Sequence, residues 1–128
     1  MMLLLDTHVF LWWIVDSEKL SNTARNAIET AENSVLLSAT SVWEIVIKTR
    51  LGKLRLPEPP GSFVQANLKR NGFLPLPIAL EHAVAVAELP DHHRDPFDRM
   101  LVAQCKVENC SIITADSIIV KYDVPTVW

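Results

Sequence analysis

The sequence predicts an α/β fold in which a parallel sheet carries helices on both faces. Three observations lead there. Runs such as Leu3-Leu4-Leu5, Val35-Leu36-Leu37 and Ile112-Ile113 are short and apolar on both faces, as strands buried on two sides must be. Segments with helical apolar spacing separate those runs, the order expected of strands joined by helical crossovers. The chain has 128 residues, 49% of them hydrophobic and only three of them glycine, which supplies a core for one domain over residues 1–128 and excludes a disordered or collagen-like chain.

The elements follow in order. Met2–Leu5 is an apolar strand that stops at Asp6. Residues 9–14 form a helix whose Trp12 and Trp13 are too bulky to leave in water, so they, like Trp43, pack in the core or at a subunit interface. Ser21 caps a helix over 22–31, where Ala24, Ala27, Ile28 and Ala31 repeat at helical spacing. Ser34–Ser38 is the second buried strand. The next helix carries Trp43, Ile47 and Leu51 on one face and ends near Gly52. Pro57, Pro59 and Pro60 stiffen the connector 56–61, which is too short to divide the chain. A helix over 62–71 ends at Gly72, and Pro75 and Pro77 hold 73–77 extended. Residues 79–89 form a helix that stops before Pro90. Asp95-Pro96 then starts a helix to about Glu108, with Asp as N-cap and Pro at the first helical position. Residues 111–114 are a strand, 116–120 a short helix, and 125–128 a last short strand.

The net charge of −3 argues against a protein that grips nucleic acid by charge alone. Any such role needs a bound cation. Two cysteines, Cys105 and Cys110, are too few for a disulfide scaffold and read as reduced thiols of a cytoplasmic protein. The apolar start is broken at Asp6, and Val9 to Val15 falls far short of the roughly 20 residues of a membrane span. It also lacks the basic start and cleavage site of a signal peptide, so no membrane role is expected. No glycine-rich phosphate loop is present.

Ligands of a parallel sheet bind beyond the carboxyl ends of its strands. Asp6 follows the first strand, and Glu44 lies in the first turn of the helix after the second. Asp95 and Asp98 open the helix before the third strand, and Asp116 follows that strand by two residues. Gathered anions repel and raise one another's pKa, so the cluster needs a cation. Carboxylates suit Mg²⁺ or Mn²⁺, and such an ion makes phosphodiester hydrolysis by activated water the natural reaction. Each acid also has a purely structural reading. Ser41-x-x-Glu44 fits a capping box, and Glu44 can pair with Lys48 one turn later. Asp95 fits an N-cap, Asp98 suits a helix N-terminus, and Asp116 can cap the short helix after it. The structural account needs all of these to coincide at one sheet edge, which favours a site. Asp91-His92-His93-Arg94-Asp95 reads as a solvated loop, because adjacent histidines point different ways.

Leu3-Leu4-Leu5-Asp6-Thr7-His8, Ser41-Val42-Trp43-Glu44-Ile45-Val46-Ile47-Lys48, Asp95-Pro96-Phe97-Asp98-Arg99-Met100-Leu101 and Ile113-Thr114-Ala115-Asp116 together resemble the PIN-domain ribonucleases. The nearest branch is the VapC-type toxins of toxin–antitoxin pairs, and the motifs run in order over nearly the whole chain. The resemblance implies a three-layer α/β/α sandwich with a central, mostly parallel sheet. It implies Mg²⁺ or Mn²⁺ held by Asp6, Glu44, Asp98 and Asp116 as catalytic, metal-binding acids. It also implies that Asp95 and the hydroxyls of Thr7, Ser38 and Thr114 orient those acids. The partners implied are an RNA substrate such as tRNA or rRNA, a cognate antitoxin and a second copy of the chain. Lys48, Arg50, Arg94 and Arg99 are the expected RNA contacts. A binding module that keeps the fold without catalysis is the competing function. A phosphoryl-transfer enzyme with an aspartyl nucleophile ranks behind it, because His8 stands where such enzymes carry a second Asp.

Overall fold

A computed structural model describes residues 1–128. In chain order its elements are β1 (Met2–Leu5), α1 (Thr7–Ile14), α2 (Asn22–Glu29), β2 (Ser34–Ser38), α3 (Ala39–Arg50), α4 (Pro60–Asn71), β3 (Leu74–Leu76), α5 (Leu80–Val86), α6 (Pro96–Glu108), β4 (Ser111–Ile113), a 3₁₀ turn (Ile119–Lys121) and β5 (Thr126–Val127). The five strands form one sheet in the order β3-β2-β1-β4-β5. Every pair is parallel, with Leu3 opposite Val35 on one side and Ser111 on the other.

Alternation along each strand divides the core in two. Leu3, Leu5, Val35, Leu37 and Ile113 face one layer, where they pack with Phe10 of α1, Ala24 and Ile28 of α2, Ile45 of α3 and Phe63 of α4. Leu4, Leu36, Leu76 and Ile112 face the other, against Leu101, Val102 and Cys105 of α6 and Tyr122 after the 3₁₀ turn. The result is a three-layer α/β/α sandwich. The chain crosses from β1 outward to β3 by one face and returns to β4 by the other. The carboxyl ends of β1 and β4 therefore flank a topological switch point, the place where such sheets bind ligands.

Local sequence explains the boundaries. Ser21 caps α2 by accepting from the Ala24 N–H at 3.0 Å. Gly72 ends α4 with φ 66°, a conformation that costs glycine least. Three expectations change. The helix expected over 79–89 is shorter, Leu80–Val86, because the N–H groups of Ala87, Glu88 and Leu89 bond the carbonyls three residues back, and the Arg99 guanidinium takes the carbonyls of Val86, Leu89 and Pro90. The helix expected over 116–120 is a 3₁₀ turn, preceded by Asp116 Oδ1 accepting from the Ile118 N–H at 2.7 Å. Trp43, expected in the core or at an interface, is outside the core and 58% exposed, Ile47 is half-buried, and α3 buries Thr40, Ser41, Glu44 and Ile45 instead. Trp13 packs in the core layer and donates Nε1–H to Asn71 Oδ1 at 3.0 Å. Cys105 and Cys110 are both free and buried. No helix is long and apolar enough to cross a membrane.

Candidate functional site

The switch point opens into a pocket of about 240 Å³ lined by Asp6, His8, Trp12, Glu44, Asp95, Asp98, Ala115 and Asp116. The five acids expected at this edge are thus brought together. A larger pocket of about 400 Å³ beside Trp43 and Phe97 is apolar and has no carboxylate in its lining. The chemistry belongs to the smaller one.

Asp6 leaves β1 as the N-cap residue of α1, and its backbone N–H donates to Ile113 O across the β1–β4 gap. Thr114 Oγ1 donates to Asp6 Oδ2 at 2.6 Å, so the residue that follows β4 orients the acid that follows β1. Burial pushes the Asp6 carboxyl above its usual range, against the opposing effects of Thr114 and nearby His8. Thr7 Oγ1 donates to Ser41 Oγ at 2.8 Å, which ties the start of α1 to α3.

The N-cap of α3 is Ser38, whose Oγ accepts from the Thr40 N–H at 2.9 Å. Ser38 also donates to Gln104 Oε1 at 2.5 Å, and Thr40 Oγ1 donates to the same oxygen at 3.2 Å. This buried network clamps the start of α3 onto α6. Because the helix begins at Ala39, Ser41 and Glu44 do not form a capping box, and Glu44 sits in the second turn rather than the first. Lys48 Nζ does pair with Glu44 Oε2. The other carboxylate oxygen, Oε1, is buried with no hydrogen-bond partner. Burial alone would lower the Lys48 pKa, but Glu44, then Asp95 and Asp98, outweigh it and raise it.

Asp95 caps α6, its Oδ1 accepting from the N–H groups of Phe97 at 2.8 Å and Asp98 at 3.3 Å. That cap places Asp98 in the first helical turn, facing the pocket. Burial first, then the charges of Asp6, Asp95, Glu44 and Asp116, push the Asp98 carboxyl up to about 8. For Asp116, burial acts to raise the pKa, but the Ile118 N–H and the His93 ring prevail and lower it.

His93 was expected in a solvated loop and lies instead at the site. Its Nε2 is 3.0 Å from Asp98 Oδ2 and 3.1 Å from Asp116 Oδ2. The signal available was its position two residues before the Asp95 cap. The basic residues separate by environment. Lys48 joins the acids, and Arg50 and Arg94 are exposed. Arg99, expected to touch RNA, has its guanidinium engaged by three backbone carbonyls and the Tyr122 hydroxyl.

The donors fit a hard divalent cation. They are carboxylates, as Mg²⁺ and Mn²⁺ prefer, and the unpartnered Glu44 Oε1 is a buried anionic oxygen that costs free energy unless something positive meets it. Asp6, Glu44 and Asp98 offer the least encumbered oxygens. Asp116 gives one oxygen to Ile118 and the other to His93.

Comparison with known proteins agrees with this architecture. A family model of the PIN domain matches residues 3–125. Ribonuclease VapC16 of Mycobacterium tuberculosis is 47% identical over 62 residues, 48% of this chain and 43% of that protein, so the match spans less than half of VapC16. Ribonuclease VapC22 of the same organism is 29% identical over 131 positions, 98% of this chain and 97% of that protein. A chain of VapBC2 from Rickettsia felis, solved bound to a DNA fragment from their promoter, superposes with TM-score 0.73 at 16% identity, covering 98% of this chain and 97% of that one. FitAcB from Neisseria gonorrhoeae gives TM-score 0.58 at 21% identity, covering 98% and 96%. With a family model matching nearly its whole length and the same fold in these structures, the chain belongs to the PIN-domain family.

Proposed function

We propose that the protein is a divalent-metal-dependent endoribonuclease, the toxin of a toxin–antitoxin pair, with Asp6, Glu44 and Asp98 as the principal cation-holding acids and Asp116 assisting. The observation that carries this reading is Glu44 Oε1, buried and unpartnered in a pocket shared with four aspartates. The similarity to ribonucleases VapC16 and VapC22 supports RNA as the substrate.

The chain's own residues divide the work. Thr114 holds Asp6 by one oxygen, and Lys48 holds Glu44 by Oε2. Ser38, Thr40 and Gln104 fix the distance between α3 and α6, hence between Glu44 and Asp98. A divalent cation bound among these acids supplies charge stabilisation at a phosphoryl oxygen and lowers the pKa of water at the site. It also gives an acidic protein the positive charge that a phosphate backbone requires. Lys48 at the pocket and the exposed Arg50 and Arg94 are the cations we assign to the RNA backbone. The reading includes a homodimer and a cognate antitoxin. The exposed Trp43, shared by apolar pockets of about 400 and 560 Å³, is a surface suited to a protein partner.

The test is cleavage of a tRNA and rRNA mixture by the purified protein. Cleavage with Mg²⁺, its loss with chelator, and its return on adding Mn²⁺ are the expected results. A folded protein that cuts no RNA under any of these conditions is the result that favours a binding module instead.

A further inference from the structure

The Asp91–Asp95 loop contains two adjacent histidines in different surroundings. His92 is exposed and meets Tyr122 edge-on, with ring centroids 5.0 Å apart. The His93 side chain is only 15% exposed and turns inward. Two contacts hold that turn. The His93 backbone N–H donates to the Tyr122 hydroxyl at 2.9 Å, and ring Nδ1 accepts from the Asp95 N–H at 3.2 Å. An Nδ1 that accepts leaves the ring proton of a neutral imidazole on Nε2. Nε2 therefore donates; Asp116 Oδ2 is its hydrogen-bond acceptor at 3.1 Å, and Asp98 Oδ2 lies 3.0 Å away, within ion-pair range.

The three atoms lie within 4.8 Å of one another, a spacing that would also suit a metal ion with His93 as a ligand. The tautomer argues against that role, because a ligating nitrogen must present a lone pair and this one carries the proton. His82 behaves in the same way at a place without catalytic acids. Its Nδ1 accepts from the Ala79 N–H, and its Nε2 meets Glu108 at 2.7 Å, pinning α5 to α6.

We propose that His93 is a positioning residue of the acid site, whose Nε2–H holds Asp116 by Oδ2 and, lying 3.0 Å from Asp98 Oδ2, draws that oxygen toward the ring and so leaves the other Asp98 oxygen to the cation. The inference rests on the acids being a cation site. An N–H placed beside two carboxylates offsets their repulsion, and its hydrogen bond fixes the Asp116 rotamer. Asp98 stands on α6 and Asp116 follows β4, so the ring also joins the two walls of the pocket. Losing such an outer partner of a metal ligand typically weakens metal affinity about 10–100-fold.

The experiment is Mn²⁺ titration by calorimetry of the parent, His93→Ala and His93→Gln, with thermal unfolding of each. Glutamine can place an amide N–H near the position of Nε2. The expected result is a loss of Mn²⁺ affinity of at least about tenfold in His93→Ala, with substantial recovery in His93→Gln. The Tyr122 contact to the backbone anchors the loop in all three, and equal unfolding temperatures for the two variants separate positioning from folding. Nitrogen chemical shifts of the ring are an independent readout, expected to show the Nε2–H tautomer. Mn²⁺ binding by His93→Ala that equals or exceeds the parent's, or an Nδ1–H tautomer, overturns the proposal and leaves the cation site standing. A folded parent that binds no Mn²⁺ overturns both.

Discussion

Replacing Asp98 with Asn lowers RNA cleavage by at least about a hundredfold and makes the protein more stable, a pairing that ordinary structural aspartates do not show. The activity loss follows from removing a charged donor from a site whose cation is asked for several kcal/mol of charge stabilisation. The stability gain follows from the electrostatics. Burial and four neighbouring acids raise the Asp98 pKa from 3.8 to about 8, so the folded protein holds a proton that the unfolded chain releases. The stability this group contributes is full below about pH 4 and is lost as the pH rises through about 8. Asparagine carries no such penalty. The gain is therefore absent near pH 4, grows with pH, and reaches on the order of 1–3 kcal/mol above pH 8. Urea unfolding of both proteins at several pH values, beside a cleavage assay, measures both effects. A variant that unfolds more readily than the parent at pH 8 contradicts the crowded-acid account.

Replacing Phe10 with Ala produces the largest stability loss expected from a single core truncation here. Phe10 is fully buried and meets Phe63 and Phe73 edge-on, with ring centroids 6.4 and 6.3 Å away. It thereby fastens α1 to α4 and to the start of β3. Removing a buried phenylalanine ring costs about 3–5 kcal/mol in transfer and cavity free energy. That is a large share of the roughly 5–15 kcal/mol that keeps a domain folded. The unfolding temperature drops by more than 10 °C, as thermal denaturation followed by circular dichroism would show. Asp6 lies one turn before Phe10, and its carbonyl accepts the Phe10 N–H, a backbone bond that truncation of the side chain leaves in place. Mn²⁺ affinity per folded molecule, measured well below the transition, stays within a few-fold of the parent's.

Much of the architecture was legible because the strands are buried on both faces. Leu3-Leu4-Leu5 has no polar position to spare, and a strand of that kind must lie inside a parallel sheet. Once the strands are placed, the carboxyl edge follows, and with it the neighbourhood of Asp6, Glu44, Asp98 and Asp116. The Asp95-Pro96 start was legible because proline at the first turn and a capping aspartate are local signals. Other features depend on partners distant in the chain. Trp43, Ile47 and Leu51 share one face, yet Trp43 and Leu51 are exposed and Ile47 is half-buried, because α3 directs Glu44 at the pocket and buries Ile45 in the core. The capping-box reading of Ser41 and Glu44 was defeated three residues earlier, where Ser38 starts the helix and bonds Gln104, 66 positions away. His93 was hidden for the same reason. Tyr122, 29 residues later, sets the course of its loop, and adjacent histidines look alike in sequence. Arg99 looked like a surface cation, but the unsatisfied carbonyls after α5 claim it.

The most direct measurement of the central claim is calorimetric titration of Mn²⁺ into the purified protein at pH 6 and pH 8. A cation must displace the proton that Asp98 keeps up to about pH 8, so binding is tighter at pH 8 and releases protons at pH 6. Binding at both values, stronger at the higher one, and its loss in a folded Glu44→Gln variant are the expected results. A folded parent that takes up no Mn²⁺ at pH 8, or a Glu44→Gln variant that binds as well as the parent, would contradict that claim.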